Sequence, residues 1–423
     1  MYKFFNSDFY NFEVLRLIGT APTQGSDVAE CLEAIAKIRV NDPENWYKVW
    51  SDLAISTEGI GKDALVAGQS ETARWAFMRA SNYWRSSEFM LRSDAKDPRL
   101  LHAISRSVED FEKACKLLDS PVENLAIPYL DTGSKLPARL FLPKSGTVPN
   151  GQKTPVILST GGFDSTQEEM YHFTASGALT RGYATLTFEG PGQGIVVRRD
   201  GLHLRHDWEV VIGAVLDQLF VSATREHPEW NLDLDRIALV GNSMGGYFAL
   251  RGATDHRIKA CVSSDGFYDM GVQTRERTPF WFSYLSDGMA NTIMDVVLRF
   301  DYRMRWETGH AMLALGVSSM TEALRRLAGF TCEPPSGGGR KIVEDIACPV
   351  LVTGAPDSIY TLGTEPAFEA LRHARKNVEL WMPDGFGNGS AQAKVAALSR
   401  LHAKVCEWLD GKFQIDRSPI SLD

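Results

Sequence analysis

Apolar side chains recur at helical spacing through the first part of the chain. Large apolar groups follow this spacing over residues 46–54, and again over residues 73–84, where Trp75, Met78 and Tyr83 fall on overlapping helix faces. So many aromatic groups on short helices are typical of a core, and a helical layer over an active site would use the same residues. Residues 1–120 are therefore predicted to form a helical N-terminal segment that acts as a cap or lid.

From about residue 124 the pattern changes to short apolar runs. Two runs around a glycine-containing turn at 131–134 predict an antiparallel hairpin. Later runs alternate with helical segments, and they are Val156–Leu158, Ala184–Phe188, Ile237–Val240, Ala260–Val262, Val350–Val352 and Val378–Trp381. Strands that alternate with helices indicate a mostly parallel sheet covered on both faces.

The regular spacing of strands is interrupted once, between Val262 and Val350. The intervening residues are rich in aromatic groups and methionine, and an excursion of this length is typically a functional insertion. We predict a helical cap insertion at 270–340, which ends in a flexible Pro/Gly linker at 334–339. The sheet-containing core is then 121–269 and 341–423.

Composition limits the classes of partner. The chain has 423 residues, of which 44% are hydrophobic, and a net charge of −8, so no basic face for nucleic acid is implied. Six well-separated cysteines without a CxxC pair indicate reduced thiols and no metal site. The N-terminus does not resemble a secretory signal, and no apolar run approaches the ~18 residues of a membrane span. A soluble, cytoplasmic protein that acts on a small molecule, away from membranes, is expected.

The sequence Gly241-Asn242-Ser243-Met244-Gly245 carries the strongest chemical signal. It lies between the apolar run Ile237–Val240 and an amphipathic helix, so Ser243 occupies a sharp strand-to-helix turn. Glycines two positions to either side are required there because side chains would collide with the strand and the helix. Ser243 is the predicted nucleophile, and a glycine-rich turn with an incidental serine is the alternative.

An acyl-transfer site also needs hydrogen-bond donors for the oxyanion. The backbone N–H of Met244 is one predicted donor, and the loop after Val156–Thr160 supplies the other at Gly162 or Phe163. The nearby segment Glu189–Gly194 lacks both GxGxxG spacing and a Walker lysine, so it predicts a turn that shapes the pocket and no nucleotide. No cofactor is expected.

The acid is predicted at Asp357, after the strand Val350–Val352, with Glu365 as a weaker candidate. The base should lie in the loop that follows Val378–Trp381, but that loop contains no histidine. Asn388 stands about where the imidazole belongs, and an amide does not accept a proton at neutral pH. His373 and His402 are the nearest histidines, and both are more typical of packing or solvated positions.

These motifs resemble the α/β-hydrolases that include 2,6-dihydroxypseudooxynicotine hydrolase and the fungal polyketide-shortening hydrolases of the yellowish-green type. The similarity extends over nearly the whole chain, through 68–83, 162–169, 188–194, 241–246 and Asp357. The resemblance implies an α/β-hydrolase fold with a helical cap, often a homodimer, and hydrolysis of an ester or of a carbon–carbon bond next to a carbonyl. It also implies a histidine near position 388, where this sequence has asparagine.

Two hypotheses about function remain. The first is a serine-dependent hydrolase for a polyketide-like or aromatic ketone or ester, with Ser243 as nucleophile and Asp357 orienting the base. The second is a protein of secondary metabolism with the same fold but no hydrolytic turnover, namely a cyclase, a lyase or a ligand-binding module. A purely structural scaffold would give no reason to keep an intact elbow.

Overall fold

The computed structural model describes residues 1–130, 133–148, 151–334, 339, 341–360 and 363–417. Within these ranges one eight-stranded sheet has the order β1-β2-β4-β3-β5-β6-β7-β8. Its strands are β1 (Val122–Tyr129), β2 (Ser134–Phe141), β3 (Thr154–Thr160), β4 (Ala184–Phe188), β5 (Leu232–Asn242), β6 (Ala260–Ser264), β7 (Val350–Thr353) and β8 (Val378–Trp381). Strand β2 runs antiparallel to β1 and β4, and every later pairing is parallel. The structure therefore has the mostly parallel sheet that the spacing of apolar runs predicts.

Helices cover the sheet. Further helices precede the first strand and lie between β6 and β7. In chain order they are α1 (Asp8–Ile18), α2 (Val28–Ile35), α3 (Pro43–Val66), α4 (Ser70–Phe89), α5 (Pro98–Cys115), α6 (Gln167–Met170), α7 (Ser176–Leu179), α8 (Glu209–Val221), α9 (Met244–Gly252), α10 (Met270–Arg277), α11 (Asp287–Phe300), α12 (Tyr302–Leu315), α13 (Met320–Leu327), α14 (Ile342–Asp345), α15 (Glu365–His373) and α16 (Leu398–Phe413). Thus α1–α5 precede the first strand, and α10–α14 occupy the excursion between β6 and β7.

The central strands bury both of their faces. Along β3, Val156 and Leu158 point to the layer that contains α8 and α9, whereas Ile157 points to the layer that contains α16. Neighbouring residues of a strand face opposite sides of the sheet, so a doubly covered strand must be apolar at consecutive positions. This requirement explains the continuous apolar runs in the sequence.

The N-terminal helices and the insertion share one aromatic cluster. Tyr10, Trp46 and Trp50 are fully buried, and Trp306 of α12 packs among the same helices. The Nε1 of Trp306 donates a hydrogen bond to the carbonyl of Phe89 at 2.5 Å. Helix α12 is therefore attached to the N-terminal helices, although it belongs to the insertion.

The structure differs from one sequence prediction and describes only parts of two other predicted segments. Trp75 is 47% exposed, so it does not belong to the core that its helical spacing favours; it lies on the outer face of α4. The hairpin turn at 131–134 and the linker at 334–339 lie partly outside the described residues. The cysteines are free thiols and, apart from the half-buried Cys115, they are buried. Within the described ranges, no helix is long and apolar enough to cross a membrane.

Candidate active site

Ser243 stands at a strained turn between β5 and α9. Its φ of 57° and ψ of −125° lie in a region that residues with a side chain rarely adopt. The flanking glycines make the turn possible, since a Cβ at Gly241 would collide with the carbonyl of Gly245. A Cβ at Gly245 would in turn lie 2.6 Å from the carbonyl oxygen of Thr160. The sequence pattern thus corresponds to a strand-to-helix elbow that presents the Ser243 hydroxyl.

The loop after β3 lies directly against this elbow. A Cβ at Gly162 would come within 2.9 Å of the Asn242 carbonyl, so only glycine permits the approach. The N–H of Gly162 donates to Ser165 Oγ at 3.0 Å and is therefore occupied. In the described part of the chain, no acceptor is found for the N–H groups of Phe163 and Met244, both of which line the cavity over Ser243. Of the candidate oxyanion donors, these two remain available.

The loop after β8 brings Gln392, and not Asn388, to the serine. Gln392 Nε2 donates hydrogen bonds to Ser243 Oγ at 3.2 Å and to the Asp265 carbonyl at 3.0 Å. Asn388 is exposed, and its Nδ2 donates to the carbonyl of Asp384. The prediction that Asn388 faces Ser243 is therefore wrong. The reason is that the chain makes a tight turn at Phe386–Asn388 and reaches the cavity only at Gln392.

Asp357 follows β7, but it does not contact Gln392, the residue that meets Ser243. Its side chain is exposed and accepts a hydrogen bond from Ser390 Oγ, and its N–H donates to the Ser390 carbonyl at 2.9 Å. The next residue, Ser358, places its Oγ 2.8 Å from Gln392 Oε1. The predicted alignment of a base by the Asp357 carboxylate is corrected accordingly, since that carboxylate holds the loop through Ser390.

A buried ion pair supports the loop that carries Gln392. Lys394 Nζ lies 2.6 Å from Asp265 Oδ1 and donates to the Gly354 carbonyl at 2.6 Å, with both charged side chains out of solvent. Burial lowers the pKa of Lys394, and the charge of Asp265 opposes that shift. Ala393 and Lys394 have left-handed backbone conformations, with φ of 53° and 56°. This strained turn persists because the ion pair and the surrounding packing hold it.

Histidine does not supply the missing base in this structure. Among the residues that the structure describes, none of those lining the cavity is a histidine. The exposed His373 contacts the backbone of its own helix through Nδ1, and the buried His402 lies between the carbonyls of His172 and Phe173. Burial lowers the pKa of His402 to about 4. Neither side chain is placed to accept a proton from Ser243.

His310, on α12, instead contacts the loop after β3. Its Nε2 lies 3.2 Å from the carbonyl of Phe163, and its ring stands edge-on to the Phe163 ring at a centroid distance of 4.5 Å. Burial and then the charge of Arg92 lower its pKa to about 3. His310 is therefore neutral, and it holds in place the loop after β3, in which Phe163 lines the cavity.

The cavity over Ser243 has a volume of about 190 Å³ and a mostly aromatic and aliphatic wall. The N-terminal helices contribute Phe12, the insertion contributes Trp306 and Leu327, and the core contributes Phe163 and Phe267. Asn242 also lines it, is 2% exposed, and has no hydrogen-bond partner at either amide atom among the described residues. A ligand with one carbonyl on an apolar body matches these surroundings.

One wall of the cavity is charged. Arg16 of α1 makes two hydrogen bonds of 2.5 Å to the Glu169 carboxylate and a third of 2.8 Å to Asp164 Oδ2. Burial acts to raise the pKa of Glu169, but the charges of Arg16 and Arg85 outweigh it and hold that pKa below its usual range. Because these ions are satisfied by one another, they attach α1 to α6 and to the loop after β3. Within the described residues, no group of three or more His, Cys, Asp or Glu side chains could hold a metal ion.

Sequence reasoning missed Gln392, Asp265, Lys394, Asn242 and His310. Asn242 was visible inside the elbow motif, because it immediately precedes the serine. The other residues are distant in the sequence and carry no local pattern that links them to Ser243.

Comparison with known proteins relates the whole chain to hydrolases. Family models described as "Esterase FrsA-like" and "Alpha/beta hydrolase family" match residues 25–270 and 156–398. The chain is 44% identical to hydrolase acrC of Aspergillus aculeatus, over 99% of this chain and 100% of that one. It is also 44% identical to the 20-hydroxy-prefusarin hydrolase FUS2 of Gibberella moniliformis, over 99% of both chains. The crystal structure of the 2,6-dihydroxy-pseudo-oxynicotine hydrolase superposes with a TM-score of 0.71 at 21% identity, covering 96% of this chain and 99% of that one.

Proposed function

Because this chain belongs to the α/β-hydrolase family and is by class a hydrolase, we propose that it cleaves an ester or a carbon–carbon bond next to a carbonyl. Its substrate would be a polyketide-like or aromatic compound of secondary metabolism, with Ser243 as the nucleophile. The observation that carries the proposal is the strained turn at Ser243. The hydroxyl of this serine lies at an apolar cavity, beside the two available backbone N–H groups of Phe163 and Met244. Relatives of nearly full length that are named as hydrolases support the same reaction class.

The geometry supports the following chemistry. Ser243 Oγ attacks the substrate carbonyl carbon, and the carbonyl oxygen gains negative charge beside the N–H groups of Phe163 and Met244. Collapse of this intermediate breaks the C–O bond of an ester and releases an alcohol. In a ketone substrate it breaks the neighbouring C–C bond, and the leaving carbon takes up a proton. Water then releases the acyl group from Ser243 as a carboxylic acid.

Gln392 limits this reaction. Nucleophilic attack requires that the Ser243 proton pass to a base, and the Gln392 amide donates to Ser243 Oγ without being able to take up that proton. Removing a catalytic base reduces turnover on the order of 10⁴–10⁶-fold in serine enzymes. The chain is therefore expected to bind its substrate normally and to turn it over slowly.

The same observation favours a second candidate function. The Asn242 amide, which has no hydrogen-bond partner among the described residues, can orient and polarise a carbonyl without an acyl-enzyme being formed. A cyclase, a lyase or a ligand-binding module would use the cavity in this way and would not need water. The predicted homodimer remains an expectation for either function.

The decisive experiment compares four proteins on p-nitrophenyl butyrate and on an aryl β-diketone. These are the unaltered chain, Ser243→Ala, Gln392→His, and Asn388→His as a matched control on the exposed loop. Gln392→His should raise turnover at least about 100-fold, since a positioned base contributes about 10²–10⁴-fold. Asn388→His should leave it unchanged and Ser243→Ala should abolish it, and a fluorophosphonate should label the Gln392→His form but not Ser243→Ala.

Reaction in heavy-oxygen water separates the two candidates. Hydrolysis incorporates the label into the acid product, whereas a lyase or cyclase product carries none. Turnover that survives Ser243→Ala would contradict the serine mechanism. An increase on Asn388→His and none on Gln392→His would show that the base position is Asn388 after all.

A further inference from the structure

The insertion contains a second cavity of about 280 Å³ next to the cavity over Ser243. The two cavities share wall residues from α10, α12 and α13. These shared residues are Met270, Arg277, Glu307, Ala311 and Leu327. A ligand that reaches Ser243 with one end can therefore extend into the insertion with the other.

Four methionines line this second cavity. Met294 of α11, Met304 of α12 and Met320 of α13 face it together with Met270 of α10. Methionine is flexible and polarisable, so a wall built from it adapts to chains of irregular shape. This composition suits an extended apolar group better than a rigid ring that needs one fixed outline.

Gln273 is the buried amide on the wall of this cavity, which Thr274, Arg277, Thr278, Glu307 and Thr308 also line. Its side chain is 8% exposed, and its Oε1 has no hydrogen-bond partner among the described residues. Buried acceptors are nearly always satisfied, and an unsatisfied one calls for an explanation. A hydroxyl or N–H group of a ligand in the cavity would supply the missing donor.

We propose that the second cavity is a distal subsite for the apolar chain of the substrate, where Gln273 Oε1 receives a hydroxyl or N–H of that chain. The inference rests on the proposed function for the position of the reactive carbonyl at Ser243. It adds that the substrate is elongated and carries a hydrogen-bond donor away from its reactive end. A compact aryl ester would leave both the methionine wall and Gln273 without a partner.

An opening to solvent continues the same path. A third cavity of about 660 Å³ shares Thr274, Thr278, Pro279, Phe282 and Leu324 with the second. Phe280 and Tyr284 stand at this outer cavity and are 82% and 83% exposed. The route for the chain thus runs from the surface between α10 and α13 to Ser243.

The test measures binding, so that it does not depend on turnover. Three methyl ketones serve as probes: one with six carbons, one with twelve, and one with twelve carbons and a terminal hydroxyl. Titration calorimetry on the unaltered chain should show the twelve-carbon ketone binding at least about 100-fold more tightly than the six-carbon one, since each buried CH₂ contributes roughly a fourfold gain. The hydroxylated probe should bind at least as tightly as the plain one.

Four variants separate the parts of the subsite. Met294→Trp and Met304→Trp fill the cavity from opposite walls, and each should weaken the twelve-carbon ketone about tenfold or more while leaving the six-carbon ketone unaffected. Gln273→Leu should weaken only the hydroxylated probe, about tenfold, as expected for the loss of a buried hydrogen bond. Val272→Ala, exposed on the same helix and outside the cavity wall, should change nothing.

Equal affinity for the short and long ketones would overturn the subsite, and so would equal losses for both probes in the two tryptophan variants. Unchanged binding of the hydroxylated probe by Gln273→Leu would refute the role of Gln273. A different result would show that the proposed function is wrong. Turnover or fluorophosphonate labelling would then not depend on Ser243, whatever the chain-length preference is.

Discussion

The N-terminal helices and the insertion both line the cavity over Ser243, but they are held in place in different ways. The N-terminal helix α1 is fixed to the core by a buried ion pair, in which the side chains of Arg16 and Glu169 are 6% and 1% exposed. In the insertion, the ion pair between Arg325 and Asp287 joins side chains that are 64% and 65% exposed. Helix α11 buries only Ala290 among its residues. The N-terminal part is therefore fixed by charges out of water, whereas α11 of the insertion rests mainly on solvated contacts.

This difference has a consequence for ligand binding. A buried charge that loses its partner is strongly destabilising, so the N-terminal part tolerates little displacement. Solvated ion pairs and exposed apolar faces contribute little, so α11 can shift at small cost. The fixed part defines the geometry next to Ser243, and α11, which can adapt, lines the second cavity with Met294.

The largest expected effect compares one arginine from each part. Arg16→Ala leaves Glu169 buried without its main cation and should lower the free energy of unfolding by about 3–5 kcal/mol. Arg325→Ala should lower it by less than about 1 kcal/mol, because its pair is exposed. Urea unfolding followed by tryptophan fluorescence measures both. Equal losses would remove the distinction between the two parts.

A second comparison uses two tryptophans of the insertion. Trp306 stacks on Phe89 at a centroid distance of 4.6 Å, whereas Trp281 is 44% exposed. Trp306→Ala should cost about 3–5 kcal/mol because it opens a cavity in the shared aromatic cluster. Trp281→Ala should stay within about 0.5 kcal/mol. A small effect at Trp306 would show that α12 is not attached to the N-terminal helices in solution.

The pH dependence of stability tests the charge balance of the fixed part. Burial raises the pKa of Glu13 to about 7 from its ordinary 4.5, although Arg16 opposes that shift. The folded state thus favours the protonated carboxyl, so this stabilisation is complete below pH 4.5 and is lost as the pH rises through 7. Glu13→Gln removes the titration, and its stability relative to the unaltered chain should increase by about 3 kcal/mol between pH 4.5 and 8. A difference that stays constant across this range would contradict a buried, neutral Glu13.

The smallest expected effect lies on the outer face of α11. Phe300 is 87% exposed, so Phe300→Ser should change the free energy of unfolding by no more than about 0.5 kcal/mol. Thermal unfolding of both forms of the chain gives this difference directly. A loss of 2 kcal/mol or more would mean that Phe300 is covered in solution, and that the insertion is less exposed than the structure shows.

Most of the fold could be predicted from the sequence. The predicted α/β-hydrolase fold is confirmed, as are the family and the hydrolase class. These predictions succeed because a doubly covered strand needs consecutive apolar residues, and because the elbow needs Gly241 and Gly245 for steric reasons that act within a few residues of Ser243. Trp75 shows the limit, since helical spacing places it on an apolar face but only packing decides that this face is solvated.

Local patterns in the sequence thus predict the strand order along the chain and the Ser243 turn, and they show that the loop after β8 contains no histidine. Each of these depends on neighbouring residues and on their steric requirements. Long-range packing places Gln392, rather than Asn388, against the serine, and the Asp265–Lys394 ion pair supports the loop that carries it. Those contacts join residues far apart in the chain, and their formation depends on how a tight turn at Phe386–Asn388 directs the backbone. A shift of a few residues along such a loop does not change the spacing of apolar residues. The sequence pattern therefore could not predict which loop residue meets the serine.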